Sequence, residues 1–326
     1  RQAAMDAGIP VQSGATTINK LCGSGMKAAM IAHDLIKAGT NEIMVAGGME
    51  SMTNAPYLLK KHRSGARLGH DTAYDHMFLD GLEDAYEEGR AMGTFAQDTA
   101  NDYQLTREEM DAYSIESLRR ANAAIENGAF AGEVVPVTFS TRAGEVTVEH
   151  DEQQGKGKPD KIPTLRPAFA KDGTITAATS SSISDGAAAV VLTRESVAEK
   201  NGQNPVARIV AMAAHAQAPS EFTIAPVGAI NKVLENAGWS ADEVDLWEVN
   251  EAFACVAMFA MRDIGIPHDK INVNGGGTAL GHPIGASGTR IIVTLLNALK
   301  EQGKKRGIAS LCIGGGEATA VAVELV

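Results

Sequence analysis

Residues 18–50 read INKLCGSGMKAAMIAHDLIKAGTNEIMVAGGME, and residues 284–317 read IGASGTRIIVTLLNALKEQGKKRGIASLCIGGGE. Each stretch holds a Gly-Ser pair that opens an apolar helix of about four turns, a glycine that stops it, and a strand ending in Gly-Gly and an acidic residue. The runs at 41–47 and 308–314 have the continuous apolar character of buried parallel strands. This internal repeat predicts two similar α/β halves. Ligand sites in such folds lie in loops at the carboxyl ends of strands, which makes Cys22 and Cys312 candidates for one neighbourhood.

Between about 52 and 168 the pattern gives way to a charged, irregular region that includes HRSGARLGHDTAYDH and DEQQGKGKPDKIP. It reads as an inserted excursion, and a folded one. Within it TREEMDAYSIESLRRANAAIENG has helical spacing, with Thr106 as N-cap and Gly128 as stop. Residues 174–193 return to buried-strand character, and RQAAMDAG at the start reads as the tail of a helix closed by Gly8.

At 326 residues the chain suggests about two structural units. Its composition, 44% hydrophobic and 21% charged, is globular, and no apolar run approaches the roughly 18 residues that cross a bilayer. The formal net charge of −11 argues against nucleic acid or an anionic membrane as partner. Three unevenly spaced cysteines, Cys22, Cys255 and Cys312, make no disulfide framework and point to a reducing compartment. A cytoplasmic location is the expectation, with organellar targeting left open by a chain that starts at Arg1 and not at Met.

Four places could do chemistry. Cys22 lies where Gly23 and Gly25 turn the backbone into a helix, whose positive end favours the thiolate; the alternative is a buried structural cysteine. His282 sits in NVNGGGTALGHPIGASG, a loop whose glycines bring backbone close to a ligand, and Pro283 fixes it ahead of a helix. Cys312 precedes Gly314, Gly315 and Gly316, whose N–H groups could face an oxyanion, and reads equally as a core cysteine. Asn250 and Glu251, in LWEVNEAFACVAM, read as an N-cap or as a polar pair that holds a water or a side chain in place.

In this order NKLCGSG, NEAFA, GHPIGASG and CIGGG are similar to the thiolase family, over essentially the whole chain. RAMGTFAQDTA, with Met92, resembles the short-chain acetyl-CoA acetyltransferase branch. The resemblance implies an α/β fold of two duplicated halves in five layers, αβαβα, with a loop domain inserted into the first half. It places the N-terminal half at 1–52 and 184–196, the loop domain at 53–183 and the C-terminal half at 197–326. Family chains carry several dozen residues before the point matching Arg1, so it also implies that the first sheet here lacks members and that the gene product is longer.

By motif, the resemblance makes Cys22 the acyl-accepting nucleophile. His282 would activate it and, with a water held by Asn250, form one oxyanion hole; Cys312 would move the α-proton, and the N–H groups of Cys22 and Gly314 would form the second hole. Leu82, Met92, Phe169, Ala177, Ser181, Ala252 and Phe253 would line the pantetheine arm of CoA, with Phe222 at a position that is methionine in some relatives. No nucleotide-binding arginine is evident where GKGKPDK stands, so Lys156 or Lys158 would serve as point charges. The implied reaction interconverts two acetyl-CoA with acetoacetyl-CoA plus CoA through an acetyl-Cys22 intermediate, without metal or cofactor beyond CoA and acyl-CoA as substrates, in a homodimer or homotetramer. The alternatives are a broader-range 3-ketoacyl-CoA thiolase of fatty-acid β-oxidation, a ketoacyl-synthase-like condensing enzyme, which pairs its cysteine with two histidines, and a non-catalytic acyl-CoA-binding form.

Overall fold

A computed structural model describes residues 1–326. The chain opens with α1 (Gln2–Asp6), followed by Gly8 at φ +82°. An extended stretch leads through a tight turn at Leu21–Gly23 into α2 (Ser24–Lys37) and β1 (Ile43–Ser51). An excursion then holds β2 (Tyr57–Leu58), β3 (Tyr74–Asp75), α3 (Met92–Asp102), α4 (Arg107–Glu126), the hairpin β4 (Val137–Thr141) and β5 (Gly144–Val148), and α5 (Gln153–Lys156). β6 (Asp185–Thr193) returns to pair with β1, from Ile43 opposite Thr193 to Ser51 opposite Asp185.

The second half runs through α6 (Glu195–Lys200), β7 (Ala207–Ala216), α7 (Ala225–Ala237), β8 (Leu246–Val249), α8 (Ala254–Ile264), α9 (Gly277–Leu280), α10 (Ile284–Glu301), β9 (Arg306–Ile313) and β10 (Glu317–Leu325). Its sheet has the order β7-β10-β9-β8, with β8 and β9 parallel and the other pairs antiparallel. In this half Gly314–Gly316 alone join β9 to its antiparallel neighbour β10. β1 and β6 repeat that pair, and the excursion stands in place of the glycine turn. The repeat and the insert are therefore one design, in which the same hairpin is closed tightly in one half and opened into a folded insert in the other.

That relation corrects the parallel-strand expectation for 41–47. β1 is antiparallel to β6, and β9 is parallel only to β8. Residues 174–184 are irregular and strand begins at Asp185, with every second residue of β6 exposed. The helix expected after Thr106 is present as α4, with Thr106 and Glu109 in a reciprocal capping box and Gly128 left-handed at φ +72°.

Helices α2 and α10 lie between the two sheets. Met26, Ala29 and Met30 of α2 and Ile291, Leu295 and Leu299 of α10 share a core with Ala46 of β1 and Leu311, Val321 and Val323 of the second sheet. The two helices touch through their backbones. A Cβ on Gly25 would lie 2.6 Å from Thr289 Oγ1, and one on Gly288 would lie 2.4 Å from Met26 N. Gly25 and Met26 thus meet Gly288 and Thr289 reciprocally, as a two-fold relation between the repeats requires. Each helical glycine costs about 1 kcal/mol against alanine, a cost offset by the close approach.

On the far face of the four-stranded sheet, Ala229, Ile230 and Val233 of α7 and Val256 and Phe259 of α8 pack with Val249, Ile308 and Ala320. On the outer side of the β1–β6 pair, α1 lines a cavity with Val45, Met49 and Ala189. The order of layers is therefore helix, sheet, helix, sheet, helix, with the first reduced to α1. Ile43, Val45, Met49 and Val191 are exposed on that outer face. No helix is long and apolar enough to cross a membrane.

Candidate active site

Cys22 sits on a knuckle of backbone. Leu21, immediately before it, has φ +48°, a conformation that an L-residue adopts at a cost. The turn is held on all sides: the Leu21 N–H donates to Asn19 Oδ1 at 2.8 Å, and Ser24 Oγ accepts from Lys20 N–H at 2.9 Å and donates to the Leu21 carbonyl at 2.7 Å. Lys20 is ion-paired with Glu317 at the start of β10. Gly23 presses on Ile313, since a Cβ there would come within 2.3 Å of Ile313 Cδ1.

The N–H groups of Gly314 and of Cys22 itself point at the sulfur, yet burial outweighs them and, with the nearby Glu50 carboxylate adding to it, pushes the thiol up to about 11. This corrects the expectation of a thiolate favoured by the helix end. At neutral pH Cys22 therefore rests as a thiol. Of the three glycines after Cys312, Gly314 turns its N–H to Cys22, while Gly315 and Gly316, at φ +91° and +87°, make the turn.

Cys312 lies near the end of β9, opposite Ala318, and is fully buried. Burial pushes its thiol well above the ordinary range, and the proximity of Cys22 and Cys255 pushes it further. The structure therefore brings Cys22 and Cys312 into one site, as the repeat implied.

His282 follows α9 and is buried. Its N–H donates to the Ser182 carbonyl at 3.3 Å. Nδ1 is 2.6 Å from Ser287 Oγ, whose hydroxyl donates to the Pro283 carbonyl at 2.9 Å. Ser287 must then accept from Nδ1–H, which leaves the lone pair on Nε2, a buried atom without a protein partner. Burial, with the Arg290 charge second, lowers the imidazole to about 4. It is neutral at physiological pH and free to take a proton.

Asn250 follows β8, is buried, and donates its N–H to the Ser310 carbonyl at 3.0 Å. The helix cap is Phe253, so Asn250 is not the N-cap. Its Nδ2 is 3.4 Å from His282 Nδ1, a contact between two donors and no hydrogen bond once Nδ1–H goes to Ser287, and its Oδ1 is buried without a partner. Such an orphaned amide beside an orphaned Nε2 suits a bound water or a substrate oxygen.

The residues expected along the CoA arm divide. Met92, Phe222, Ala252 and Phe253 are buried in one cluster, with Phe169 packed against it. The Phe253 ring lies 5.9 Å from that of Phe169 and 6.4 Å from that of Phe222. Ser181 donates its N–H to the Ala252 carbonyl at 3.0 Å, and the bridge between Glu83 and Ala91 sets Leu82 near Met92. Met92 in turn reaches the catalytic turn, its Sδ 3.5 Å from where a Cβ on Gly314 would be. Ala177 stands apart, on the wall of a cavity of about 290 Å³ lined by Lys156, Lys158, Lys161, Ser114 and Thr278. Sequence reasoning missed Lys161 and Ser287. The signal for Ser287 was its place one helical turn beyond Pro283 and His282.

The comparisons with known proteins all point the same way. Family models described as the N-terminal and C-terminal domains of thiolase match residues 1–196 and 203–325. A probable acetyl-CoA acetyltransferase of Dictyostelium discoideum is 47% identical over 325 residues, 99% of this chain and 78% of that one. The crystal structure of the Bacillus anthracis acetyl-CoA acetyltransferase superposes with a TM-score of 0.96 at 41% identity, covering 100% of this chain and 82% of that one. The Acat5 thiolase from Ascaris suum in complex with coenzyme A superposes with a TM-score of 0.93 at 41% identity, covering 100% and 83%.

Proposed function

This chain belongs to the thiolase family, and from that premise we propose that it is an acetyl-CoA C-acetyltransferase, interconverting two acetyl-CoA with acetoacetyl-CoA plus CoA. The observation that carries the assignment of roles is the buried, unpartnered Nε2 of His282 beside the equally unpartnered Oδ1 of Asn250.

Cys22 attacks the thioester while its proton passes to Nε2 of His282, the nitrogen left free by Ser287. The imidazolium so formed and a water held by Asn250 stabilise the developing oxyanion. CoA leaves with the proton, and the acetyl group stays on Cys22. A thioester intermediate remains reactive because donor and acceptor are both thioesters. A second acetyl-CoA then binds. Cys312, having passed its own proton to the again neutral His282, removes the weakly acidic α-proton as thiolate, a strong base because burial raises its pKa. The enolate attacks acetyl-Cys22, the N–H groups of Cys22 and Gly314 hold the oxyanion of that step, and its collapse breaks the Cys22 C–S bond, releasing acetoacetyl-CoA and a Cys22 thiolate that recovers the proton held by His282.

The CoA arm runs beside Met92, Phe169, Phe222, Ala252 and Phe253, with Leu82, Ala177 and Ser181 along its course. Lys156, Lys158 and Lys161 supply local positive charge for the nucleotide phosphates against an acidic whole. The β4–β5 hairpin supports a homodimer or homotetramer: Val137 pairs with Val148 and Phe139 with Val146, and all four are exposed on one face. A cytoplasmic setting suits three cysteines that are all free.

Thiolysis of acetoacetyl-CoA, compared with that of a longer 3-ketoacyl-CoA on one preparation, tests the reading. The short substrate should be preferred in kcat/KM; preference for the longer one would contradict it.

A further inference from the structure

Glu251 is fully buried next to Asn250, and the chemistry above leaves it unused. Its Oε1 accepts from the Tyr113 hydroxyl at 2.9 Å and from Asn272 Nδ2 at 2.8 Å. Oε2 accepts from the Ser117 hydroxyl at 2.8 Å and from Thr278, by hydroxyl at 2.6 Å and by N–H at 3.2 Å. These donors come from two places. Tyr113 and Ser117 are one turn apart on α4 of the excursion, whereas Asn272 and Thr278, the latter in α9, belong to the segment that runs into His282.

The directions of these bonds are fixed. Ser117 Oγ accepts from the Gly276 N–H at 3.0 Å, so its hydrogen goes to Glu251. Asn272 cannot turn its amide round, because Oδ1 accepts from the Val249 N–H at 2.9 Å while Nδ2 also donates to the Val249 carbonyl at 2.8 Å. Each carboxylate oxygen thus faces at least one N–H that cannot become an acceptor, and only an acceptor fits either place.

The packing leaves no slack. A Cβ on Gly276 would lie 2.3 Å from Glu251 Cδ, and one on Gly277 would lie 2.8 Å from the Glu251 carbonyl and 3.3 Å from Asn250 Oδ1. The next positions on α4, Ser114 and Leu118, line the lysine-rich cavity, and Thr278 lines that cavity as well as binding Glu251.

We infer that Glu251 is a positioning residue, which fixes Asn250 and the loop carrying His282 against the excursion that binds CoA. The inference rests on the proposed roles of Asn250 and His282. It requires that loss of the carboxylate slow turnover without weakening CoA binding in proportion, because the cavity wall stays while the oxyanion pair shifts.

The test compares Glu251→Gln and Tyr113→Phe with the wild type in thermal midpoint, CoA binding and thiolysis of acetoacetyl-CoA. A wild type without thiolysis would refute the proposed function itself, a separate outcome. Glutamine must set its NH2 against Asn272 Nδ2 or the Thr278 N–H, and kcat is expected to fall about 100-fold, with KM and CoA affinity within about threefold. Tyr113→Phe removes one donor only and is expected to lower kcat about fivefold while folding normally. Wild-type kcat in a folded Glu251→Gln protein would overturn the inference, as would a loss confined to KM or thermal midpoint. Should Glu251→Gln fail to fold, Tyr113→Phe decides, and wild-type kcat there overturns it.

Discussion

Nδ1 of His282 and Oγ of Ser287 stand 2.6 Å apart, and since Ser287 donates to the Pro283 carbonyl, this one bond sets the tautomer of the imidazole. Nε2 carries the lone pair because Nδ1 must carry the hydrogen. Ser287→Ala leaves a buried N–H without an acceptor and frees the ring to adopt the other tautomer. Acetylation of Cys22 by acetyl-CoA should slow by about 10- to 100-fold, with little change in KM. Stopped-flow measurement of the acetylation step checks this, and an unchanged rate would mean that the tautomer is set elsewhere.

The pH dependence of the same step follows from the depressed imidazole, lowered to about 4 by burial and the Arg290 charge. The base must be neutral, so its activity is lost as pH falls through about 4 and not through the ordinary value of about 6.5. Acetylation should stay nearly flat from about pH 7 to about pH 5. The sign for stability is the same. The unfolded chain takes the proton from about 6.5 downward and the folded chain does not until about 4, so the contribution of His282 is complete above 6.5 and is lost towards 4. An acid limb in acetylation near pH 6.5 would contradict the burial argument.

Cys312→Ala should separate the two half-reactions. The variant is expected to acetylate Cys22 normally but to lose condensation and exchange of the α-proton with solvent, because the α-proton alone is assigned to Cys312. Proton exchange into acetyl-CoA, followed by NMR beside a burst assay, distinguishes them. Equal loss of both would make Cys312 structural.

The repeat at 18–50 and 284–317, the excursion between, and α4 with its Thr106 cap were legible because each rests on local pattern: glycine stops, apolar period and a capping box. Strand direction was not legible. The apolar run at 41–47 looks the same whether its partner is parallel or antiparallel, and the partner, β6, lies more than a hundred residues away. The state of Cys22 was misjudged for a related reason. A helix end is visible in sequence, but the burial that outweighs it, with the Glu50 charge adding and the Gly314 N–H opposing, arises only in the fold. Asn250 and His282 were legible by motif, whereas the donors on Glu251 come from α4 and from the 272–278 segment and carry no sequence signature of their meeting.

Two acids, Glu248 buried and Glu133 partly buried, predict instability at alkaline pH. Glu133 and Glu248 are raised to about 7 and about 8, chiefly by burial, with Arg290 opposing from 3.9 Å in the case of Glu248. Their folded values exceed the unfolded ones, so the stability they contribute is full below about 4.5 and is lost as pH rises through about 7 to about 8. The thermal midpoint should fall between about pH 6 and about pH 9, and Glu133→Gln, which can keep the Thr294 bond, should lessen the fall. A midpoint that rises over this range would contradict the account.

The central claim is that Cys22 alone takes the acetyl group. Acetyl-CoA supplied without any other acceptor, followed by acid quench and peptide mass mapping, tests it most directly, because condensation is uphill and the acetyl-enzyme should accumulate. The account predicts a single acetyl group on the peptide carrying Cys22 and none on those carrying Cys255 or Cys312. Acetyl on either of the other cysteines, or none on Cys22 in a preparation that turns over acetoacetyl-CoA, would contradict it.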